Sequence, residues 1–401
     1  MPQLLPFAGL RPNPSIVGAL DGVVCPPYDV ITEDQRLQLL GRSPYNVVRV
    51  ELPAGQYGQA AELLTTWKAA GVLTREQAPA LYGYRMAYSA PDGQHRETVG
   101  VIGALVLEQP GHGILPHEHT TPRAKGDRLE LLRATHANTS PIWCLCTEPG
   151  LTEAVGPPPS QPGAVATAVD DDGNSHGIWP LPGPATHAAV ATVVAARPLL
   201  IADGHHRYET ALSYWAECCR SGGQDPADAV APTGAAAVMA LVVELSERDV
   251  QIFGIHRVVS ALPAGTDFLA VFRDGFELTP SHADGRALLD EMARQGAVGI
   301  VTPRGALLAK PCAGAPSARY ELDSSRVDAA LAKLPPHQLS YEHDVGAALA
   351  GVRSTGADAA IFCRPARVAQ IAATAYGGEK MPPKTTFFWP KLRTGMVLRD
   401  W

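Results

Sequence analysis

Short apolar runs separated by glycines and prolines follow one another along the chain and predict many short elements. Apolar residues recur at helical spacing over residues 59–73, while residues 46–52 and 198–202 have the composition of strands. Two further strand-like runs flank a Pro-Asp-Gly turn at residues 91–93, which predicts a hairpin. Towards the end of the chain, helical and strand patterns alternate. The pattern therefore predicts a fold that contains both helices and strands (α/β in the broad sense, α+β in detail), with mixed sheets.

Composition narrows the class of protein. Of the 401 residues, 46% are hydrophobic and 18% are charged, so a packed core is expected and global disorder is excluded. The formal net charge of -7 disfavours a nucleic acid as partner, because proteins that bind its phosphate backbone usually carry a basic surface. The seven cysteines include no C-x-x-C pair and are expected to be free thiols. The sequence shows neither a signal peptide pattern nor an apolar run of about 20 residues, so we expect a cytoplasmic protein with no membrane partner.

Loops and motifs suggest a division of the chain into four segments. Residues 1–147 are predicted to form an N-terminal α/β half, and residues 148–172 a loop rich in proline and glycine. Residues 173–275 would complete the core, and residues 276–401 would form a C-terminal α/β region that returns its last segment to the functional site.

The stretch ADGHHR at residues 202–207 follows a buried strand and begins a helical pattern. A helix start leaves backbone N–H groups without intrahelical acceptors and, with the positive end of the helix dipole, favours anions. Gly204 allows close approach of the backbone, Arg207 suits a phosphate, and Asp203 would remain available for a metal or a proton. The alternative is structural: Asp203 caps the helix, and the histidines and arginine form a solvated first turn.

Two other polar stretches accompany this bend. Residues 115–141 carry Glu118, Lys125, Asp127 and Arg128 on a loop that becomes a helix at about residue 126. Residues 377–391 place Lys380, Lys384 and Lys391 among prolines and aromatic residues. The alternatives are a solvated amphipathic helix for the first stretch and a plain C-terminal anchor for the second. We expect the blocks to meet in one cleft, with Lys125, Arg207 and Lys384 on its walls.

Four blocks together resemble domain-of-unknown-function family 1015. They are CPPYDVI at residues 25–31, the segment HEHTTPRAKGDRLELLRATHANTSPIW, ADGHHRYETAL, and MPPKTTFFWPKL at residues 381–392. Their order matches that of the family, and the resemblance covers nearly the whole chain. One departure is Gly126, where the family pattern usually has an acidic residue, and this puts an essential role for that position in doubt. The resemblance implies no activity.

The D-G-H-H-R element is also similar to one in the ParB/sulfiredoxin-like superfamily, which includes free-serine kinases. That resemblance implies a ParB/sulfiredoxin-like core with a C-terminal α/β extension. In the serine kinases the element contacts nucleotide phosphates, which by correspondence would involve Asp203, Gly204, His205, His206 and Arg207. The catalytic glutamate of those kinases has no clear counterpart, so Glu118 is a candidate by its chemistry alone.

The leading hypothesis is a phosphotransferase that uses ATP, ADP or another nucleotide, with Mg²⁺, to phosphorylate a small hydroxyl compound. Its catalytic candidates are Glu118, Asp203 and His205, and Asp203 is also the candidate metal ligand. The residues expected to bind the nucleotide are Gly204, His206, Arg207, Lys125, Asp127, Arg128 and Lys384. No Walker-type or kinase-type glycine loop is present, so any nucleotide site is of another kind.

Two alternatives remain at this level. One is a ParB-like module in which bound nucleotide controls formation of a homodimer and association with DNA, although the acidic balance and the lack of an evident helix-turn-helix argue against it. The other is a phosphohydrolase or nuclease with Asp203, His205 and His206 as metal ligands. The sequence also leads us to expect that Arg207 lies near solvent with few contacts to the core.

Overall fold

The structure is a computed structural model. It describes residues 1–90, 93–108, 111–116, 122–222, 234–246, 250–313, 315, 321–378, 381–382 and 384–401, and it describes only the backbone of residues 122–125. The described residues form two compact units. The first contains Met1–Pro116, the described residues from Pro122 to Gln251, and Pro390–Trp401, and the second contains the described residues of Ile252–Trp389.

The first unit alternates short helices and strands. Its elements up to Gln251 are β1 (Leu4–Leu5), β2 (Leu10–Pro12), α1 (Pro14–Val17), α2 (Glu33–Arg42), α3 (Val48–Glu51), α4 (Tyr57–Ala69), β3 (Leu73–Arg75), β4 (Tyr82–Ser89), β5 (His95–Val106), β6 (Ile114–Pro116), α5 (Pro122–Thr135), β7 (Ala137–Asn138), β8 (Ile142–Cys146), α6 (Leu151–Val155), β9 (Ala166–Val169), β10 (Ser175–Pro180), α7 (Gly183–Ala196), β11 (Leu199–Asp203), α8 (His205–Ser221) and β12 (Ala237–Glu244). Three 3-10 turns span Leu20–Gly22, Tyr28–Val30 and Gly234–Ala236.

A mixed sheet forms the centre of this unit. Its strand order in the described residues is β6-β11-β8-β12-β5-β4-β10-β9, with β1 also paired to β5. The β6–β11 and β8–β12 pairs are parallel and the other pairs are antiparallel. A core of buried apolar side chains packs against this sheet, and a second apolar cluster joins α3, α4 and α5. α5 packs against α8, which brings two of the sequence blocks together.

The second unit has its own sheet and core. Its elements are β13 (Gln251–Gly254, whose first residue belongs to the first unit), β14 (His256–Ser260), α9 (Ala270–Arg273), β15 (Phe276–Ser281), α10 (Arg286–Gln295), β16 (Val298–Thr302), β17 (Gly305–Pro311), α11 (Asp323–Leu331), β18 (Gln338–Glu342), α12 (Val345–Ser354), β19 (Ala359–Phe362), α13 (Val368–Tyr376) and β20 (Thr386–Trp389). The sheet order is β15-β17-β16-β19-β14-β18 and all of these pairs are antiparallel. Strands β13 and β20 pair separately.

The last residues of the chain return to the first unit. Strand β21 (Arg399–Asp400) pairs with β7, and Thr394 forms an isolated antiparallel bridge with Cys25. The sequence-based division placed these residues with the C-terminal region, and it placed residues 252–275, which lie in the second unit, with the ADGHHR half.

The mixed α/β fold class is confirmed by the two sheets and the helices that connect their strands. Strands β4 and β5 pair antiparallel on either side of the predicted hairpin turn, whose residues 91 and 92 lie outside the described ones. No helix in the described part of the chain carries an apolar stretch long enough to cross a membrane.

The strand predicted at residues 46–52 is wrong, because this stretch forms the short helix α3. The side chain of Asn46 accepts a hydrogen bond from the Val48 amide and donates to the carbonyls of Gly22 and Val24. These bonds hold the chain in a turn, and Val48 and Val50 become buried in an apolar cluster. Tertiary packing therefore overrides the β propensity of the valines.

We expect Gly83→Ala to destabilise the first unit, since a Cβ there would lie 2.3 Å from the indole of the buried Trp179. Overpacking of this kind costs about 1–3 kcal/mol. Gly126→Ala is the matched control, because a Cβ at this exposed position of α5 meets nothing within 4 Å. It should stabilise the helix by about 0.5–1 kcal/mol. Denaturant unfolding of both variants measures the difference, and equal effects would contradict the packing of Gly83 against Trp179.

Candidate functional site

The ADGHHR bend connects β11 to α8 through a left-handed residue. Gly204 has a φ of 89°, a conformation that glycine adopts without strain, and it is the N-cap of α8. A Cβ at this position would lie 3.1 Å from the guanidinium of Arg207 and 3.0 Å from Ile142. The register of β11 against β8 shifts between Ile201 and Asp203, and such a bulge re-aims the side chain that follows it. The predicted strand, turn and helix are confirmed, but the side chain of Asp203 does not cap the helix.

Asp203 lies between two cations. One carboxylate oxygen accepts a hydrogen bond from the ammonium of Lys391, and the other accepts one of 2.8 Å from Arg207. Burial alone would raise the pKa of Asp203, but the charges of Lys391 and Arg207 outweigh it and hold the pKa below its usual range. His205 is buried and contributes to the same lowering of the pKa. Asp203 is therefore an ionised anchor that joins β11, α8 and the C-terminal segment.

Arg207 is buried, with 9% of its surface exposed. Besides Asp203, its guanidinium donates a hydrogen bond of 2.5 Å to the carbonyl of Pro141. Burial opposes the charge of Arg207, but Asp203 and then Asp29 and Tyr28 raise its pKa. The expectation of a solvated first-turn arginine is wrong, because the helix begins inside the unit and directs this side chain inwards. Its Nε atom is buried and has no hydrogen-bond partner among the described residues.

Arg128 of α5 is the second buried arginine of the site. It donates to the carboxylate of Asp127 at 2.6 and 2.9 Å and to the main-chain carbonyl of Glu51 at 2.8 Å. Its guanidinium also lies 4.2 Å from the centre of the Tyr28 ring, a cation–π contact. Burial opposes ionisation of Asp127, but Arg128 and a hydrogen bond from Tyr57 lower its pKa. The first two sequence blocks therefore meet at Arg128.

Glu51 is a buried carboxylate that the sequence did not single out. It accepts hydrogen bonds from the hydroxyls of Thr139 and Ser140, the latter at 3.1 Å, and it lies 3.8 Å from Arg128. These bonds connect the end of α3 to the segment before β8. Pro141, the next residue, accepts the bond from Arg207, so residues 139–141 connect Arg207 to Glu51, whose main-chain carbonyl accepts a bond from Arg128.

A cavity of about 50 Å³ lies at this junction. Its polar lining comes from the two buried arginines, one carboxylate and a group of small polar side chains, and its apolar lining comes from α5, α8 and β12. The described lining residues are Glu51, Arg128, Leu131, Leu132, Ala137, Asn138, Thr139, Ser140, Arg207, Thr210, Ala211 and Val238. The hydroxyl of Thr210 is buried and, like Nε of Arg207, has no hydrogen-bond partner among the described residues.

The structure therefore brings together part of the predicted site. Arg128 and Arg207 line the cavity, Asp127 binds Arg128, and Asp203, Gly204 and His205 form the adjoining bend, where His206 is half-buried. Glu118 lies outside the described residues, and so does the side chain of Lys125. Lys384 is an exposed residue of the second unit with a φ of 59°, and its carbonyl accepts a hydrogen bond from Arg257. Roles for these three residues stay predictions.

Four residues of the site were given no role from the sequence: Tyr28, Glu51, Thr210 and Lys391, the last noted only as one of three lysines in residues 377–391. Tyr28 and Lys391 lie within the blocks that resemble the family, so the blocks themselves were the available signal. Glu51 and Thr210 lie in a valine-rich run and on an ordinary helix, and nothing in the sequence around them indicates a polar cavity.

The geometry does not fit the magnesium ion predicted at Asp203. Both oxygens of this carboxylate already accept hydrogen bonds from cationic side chains, which a divalent ion would have to displace. In the part of the chain that the structure describes, no three His, Cys, Asp or Glu side chains are grouped so that they could hold a metal. We therefore derive no step through a metal ion.

The sequence blocks that supply the site residues lie in a chain that matches a known family. The model of the family described as "Protein of unknown function (DUF1015)" matches residues 4–331. The chain belongs to the DUF1015 family. No curated protein is significantly similar to it in sequence.

Several solved structures are similar to this DUF1015 protein at 12% sequence identity. One is a conserved hypothetical protein from Pyrococcus furiosus, with a TM-score of 0.37 over 72% of this chain and 90% of that one. Another is a variant of a free serine kinase in complex with ADP, with a TM-score of 0.39 over 73% and 95%. A third is C-terminally truncated SbnI from Staphylococcus aureus, with a TM-score of 0.40 over 73% and 85%. At this identity and these scores, the likeness does not carry an activity over to this chain.

We expect Asp203→Asn to destabilise the protein near neutral pH by about 3–5 kcal/mol, because it leaves two buried cations without their carboxylate. The pKa of Asp203 is lowered in the folded state, so its contribution is complete above the unfolded pKa of about 3.9 and is lost as the pH falls towards the folded value. The difference between wild type and variant should thus be constant above about pH 5 and shrink below about pH 4. Urea unfolding over this pH range measures it. A difference that does not change with pH would show that Asp203 is not an ionised anchor.

Proposed function

We propose that the first unit is a phosphotransferase that moves the terminal phosphoryl group of ATP or ADP to a small hydroxyl compound. In this proposal, and as the sequence resemblance implies, the unit is related to the ParB/sulfiredoxin-like superfamily. The oxygen of the acceptor forms a bond to the terminal phosphorus. The bond from that phosphorus to the bridging oxygen breaks, and its electrons leave on the shortened nucleotide. The proton of the acceptor hydroxyl passes to a carboxylate, for which Glu118 is the candidate.

The charges around the start of α8 support an anion there. Lys391 and Arg207 share the single carboxylate of Asp203, so the group has one positive charge in excess. The positive end of the α8 dipole lies at the same place and adds to the attraction. Because phosphoryl transfer needs mainly positioning and neutralisation of charge, such a group suits the reaction. The lowered pKa of Asp203 suits an anchor for the cations and does not suit a proton acceptor.

The observation that carries the proposal is the unpaired donor on Arg207. A buried N–H group without an acceptor costs free energy, so its retention is explained when a ligand supplies the acceptor. The guanidinium already has its orientation fixed by Asp203 and Pro141. It therefore needs no reordering to bind a phosphate oxygen.

Arg207→Lys tests this function. Lysine keeps the charge beside Asp203 but lacks the Nε–H group and the planar fork, so we expect about a ten- to hundredfold loss of nucleotide affinity. Calorimetric titration of the full chain with ATP and ADP measures the affinity. Arg257→Lys is the matched control, since Arg257 of the second unit is also a buried arginine paired with a carboxylate, that of Asp328.

Three outcomes decide the matter. Loss of affinity in Arg207→Lys alone supports the proposal. Equal losses in both variants would show a general effect of replacing a buried arginine and would contradict it. A wild-type protein whose melting temperature does not rise with ATP, ADP, CTP or GTP at millimolar concentration would overturn it, because a ligand that binds the native state must stabilise that state.

A further inference from the structure

The cavity beside α8 differs in charge from the start of that helix. Three cations and three carboxylates lie on or next to its described lining: Arg128, Arg207 and Lys391, and Glu51, Asp127 and Asp203. The excess positive charge lies on the Asp203 side. The Arg128 side has the opposite excess, because one arginine faces two carboxylates. Apart from the solvent-exposed Asp29, whose charge water and salt screen, the described charges around the cavity therefore balance, and a ligand with a net charge would be unbalanced in it.

The unused hydrogen-bonding groups of the cavity define what a ligand must offer. The proposed function assigns Nε of Arg207 to a phosphate oxygen, and the hydroxyl of Thr210, which can donate and accept, remains for a ligand in the cavity. Each oxygen of Glu51 accepts one described hydroxyl and has a second lone pair to offer. A ligand hydroxyl group matches this set, because it accepts and donates at one atom.

The size and the apolar part of the lining limit the ligand further. Leu131, Ala211 and Val238 contribute to the wall, so part of the ligand contacts aliphatic carbon. The volume of about 50 Å³ is a few times the 10–15 Å³ that one water requires. It suits the hydroxyl-bearing end of a small molecule.

We propose that this cavity is the acceptor pocket, and that it takes the hydroxyl-bearing end of a small compound with no net charge, held by Thr210 and Glu51. The identification as an acceptor pocket rests on the proposed function. In this arrangement Arg207 lies between the anion at the start of α8 and the neutral acceptor in the cavity, and Thr210, one turn further along α8, is the residue that selects a hydroxyl group.

Thr210→Val provides the sharpest test, because it removes the hydroxyl and keeps the shape of the side chain. Since the hydroxyl has no partner in the described structure, its loss should leave the melting temperature unchanged or raise it. We expect affinity for the neutral probe glycerol, measured by ligand-observed NMR on the full chain, to fall about two- to tenfold. Thr374→Val is the control, since the buried Thr374 hydroxyl donates to the carbonyl of Gln370 at 2.7 Å. It should lower the melting temperature and leave the binding of glycerol unchanged.

Ala211→Val is a second variant, which fills the cavity with two methyl groups. We expect it to abolish the glycerol signal while circular dichroism shows a native fold and calorimetry shows ATP or ADP binding as in wild type. Inorganic phosphate is the anionic probe, and we expect neither Thr210→Val nor Ala211→Val to change its binding. Glycerol binding that both variants leave unchanged would overturn the proposal. Phosphate displaced by Ala211→Val, with no glycerol bound to wild type, would also overturn it by making the cavity an anion site.

The outcomes separate this inference from the proposed function. Glycerol binding that responds to Thr210→Val in a protein that binds no nucleotide supports the neutral pocket and contradicts the phosphotransferase. In the opposite case, Arg207→Lys weakens nucleotide binding, while Thr210→Val and Ala211→Val leave glycerol binding unchanged. That result supports the phosphotransferase and contradicts the acceptor pocket.

Discussion

The ionised carboxylate of Asp203 is the constraint on which the candidate site depends. It holds Arg207 four residues away on the same bend and Lys391 at a separation of 188 residues. Taking charges out of water is costly, so each cation is stable in its buried position only while the carboxylate is present and charged. The lowered pKa of Asp203 shows that the folded protein favours this ionised state. The return of the chain to the first unit after Trp389 therefore adds an ion pair, between Lys391 and Asp203, to the packing contacts of the last residues.

The rest of the site follows from the direction in which Arg207 is held. Gly204 allows the left-handed turn and leaves room for the guanidinium, and the carbonyl of Pro141, directly before β8, accepts a hydrogen bond from the guanidinium. Thr139 and Ser140, directly before Pro141, bind Glu51, and the carbonyl of Glu51 binds Arg128. Charged side chains, hydroxyls and main-chain carbonyls thus form a connected series of hydrogen bonds through the interior, and each has its position set by a neighbour. A shift of any one of them would leave another buried charge unbalanced.

The sequence was informative where neighbouring residues alone determine the local structure. The strand, the Asp-Gly turn and the helix at residues 199–221 follow from residue type alone, and so does the β4–β5 hairpin, whereas the family followed from the resemblance of four sequence blocks. The sequence was misleading where contacts between residues far apart in the chain determine the structure. The valines of α3 favour a strand locally, but the hydrogen bonds of Asn46 and burial in an apolar cluster make them helical. Arg207 was expected at the surface because a first helical turn is usually exposed, whereas this helix starts in the interior. Glu51 and Thr210 could not be found, because a carboxylate or a hydroxyl becomes notable only when the fold buries it beside an arginine.

Ion pairs made by buried arginines contribute little to stability, so their presence here needs another explanation. Replacement of a buried ion pair by well-packed apolar side chains is often neutral or stabilising. The first unit nevertheless keeps two such arginines at one cavity, with one N–H group and one hydroxyl lacking partners in the described residues. A core that served folding alone would have filled this space with aliphatic side chains. The charges are also unevenly arranged, with the positive excess at the start of α8 and the negative excess around Glu51 and Asp127. This costly arrangement, in which the two signs of charge are separated, supports the proposal of a site for two chemically different ligands, with Arg207 beside both.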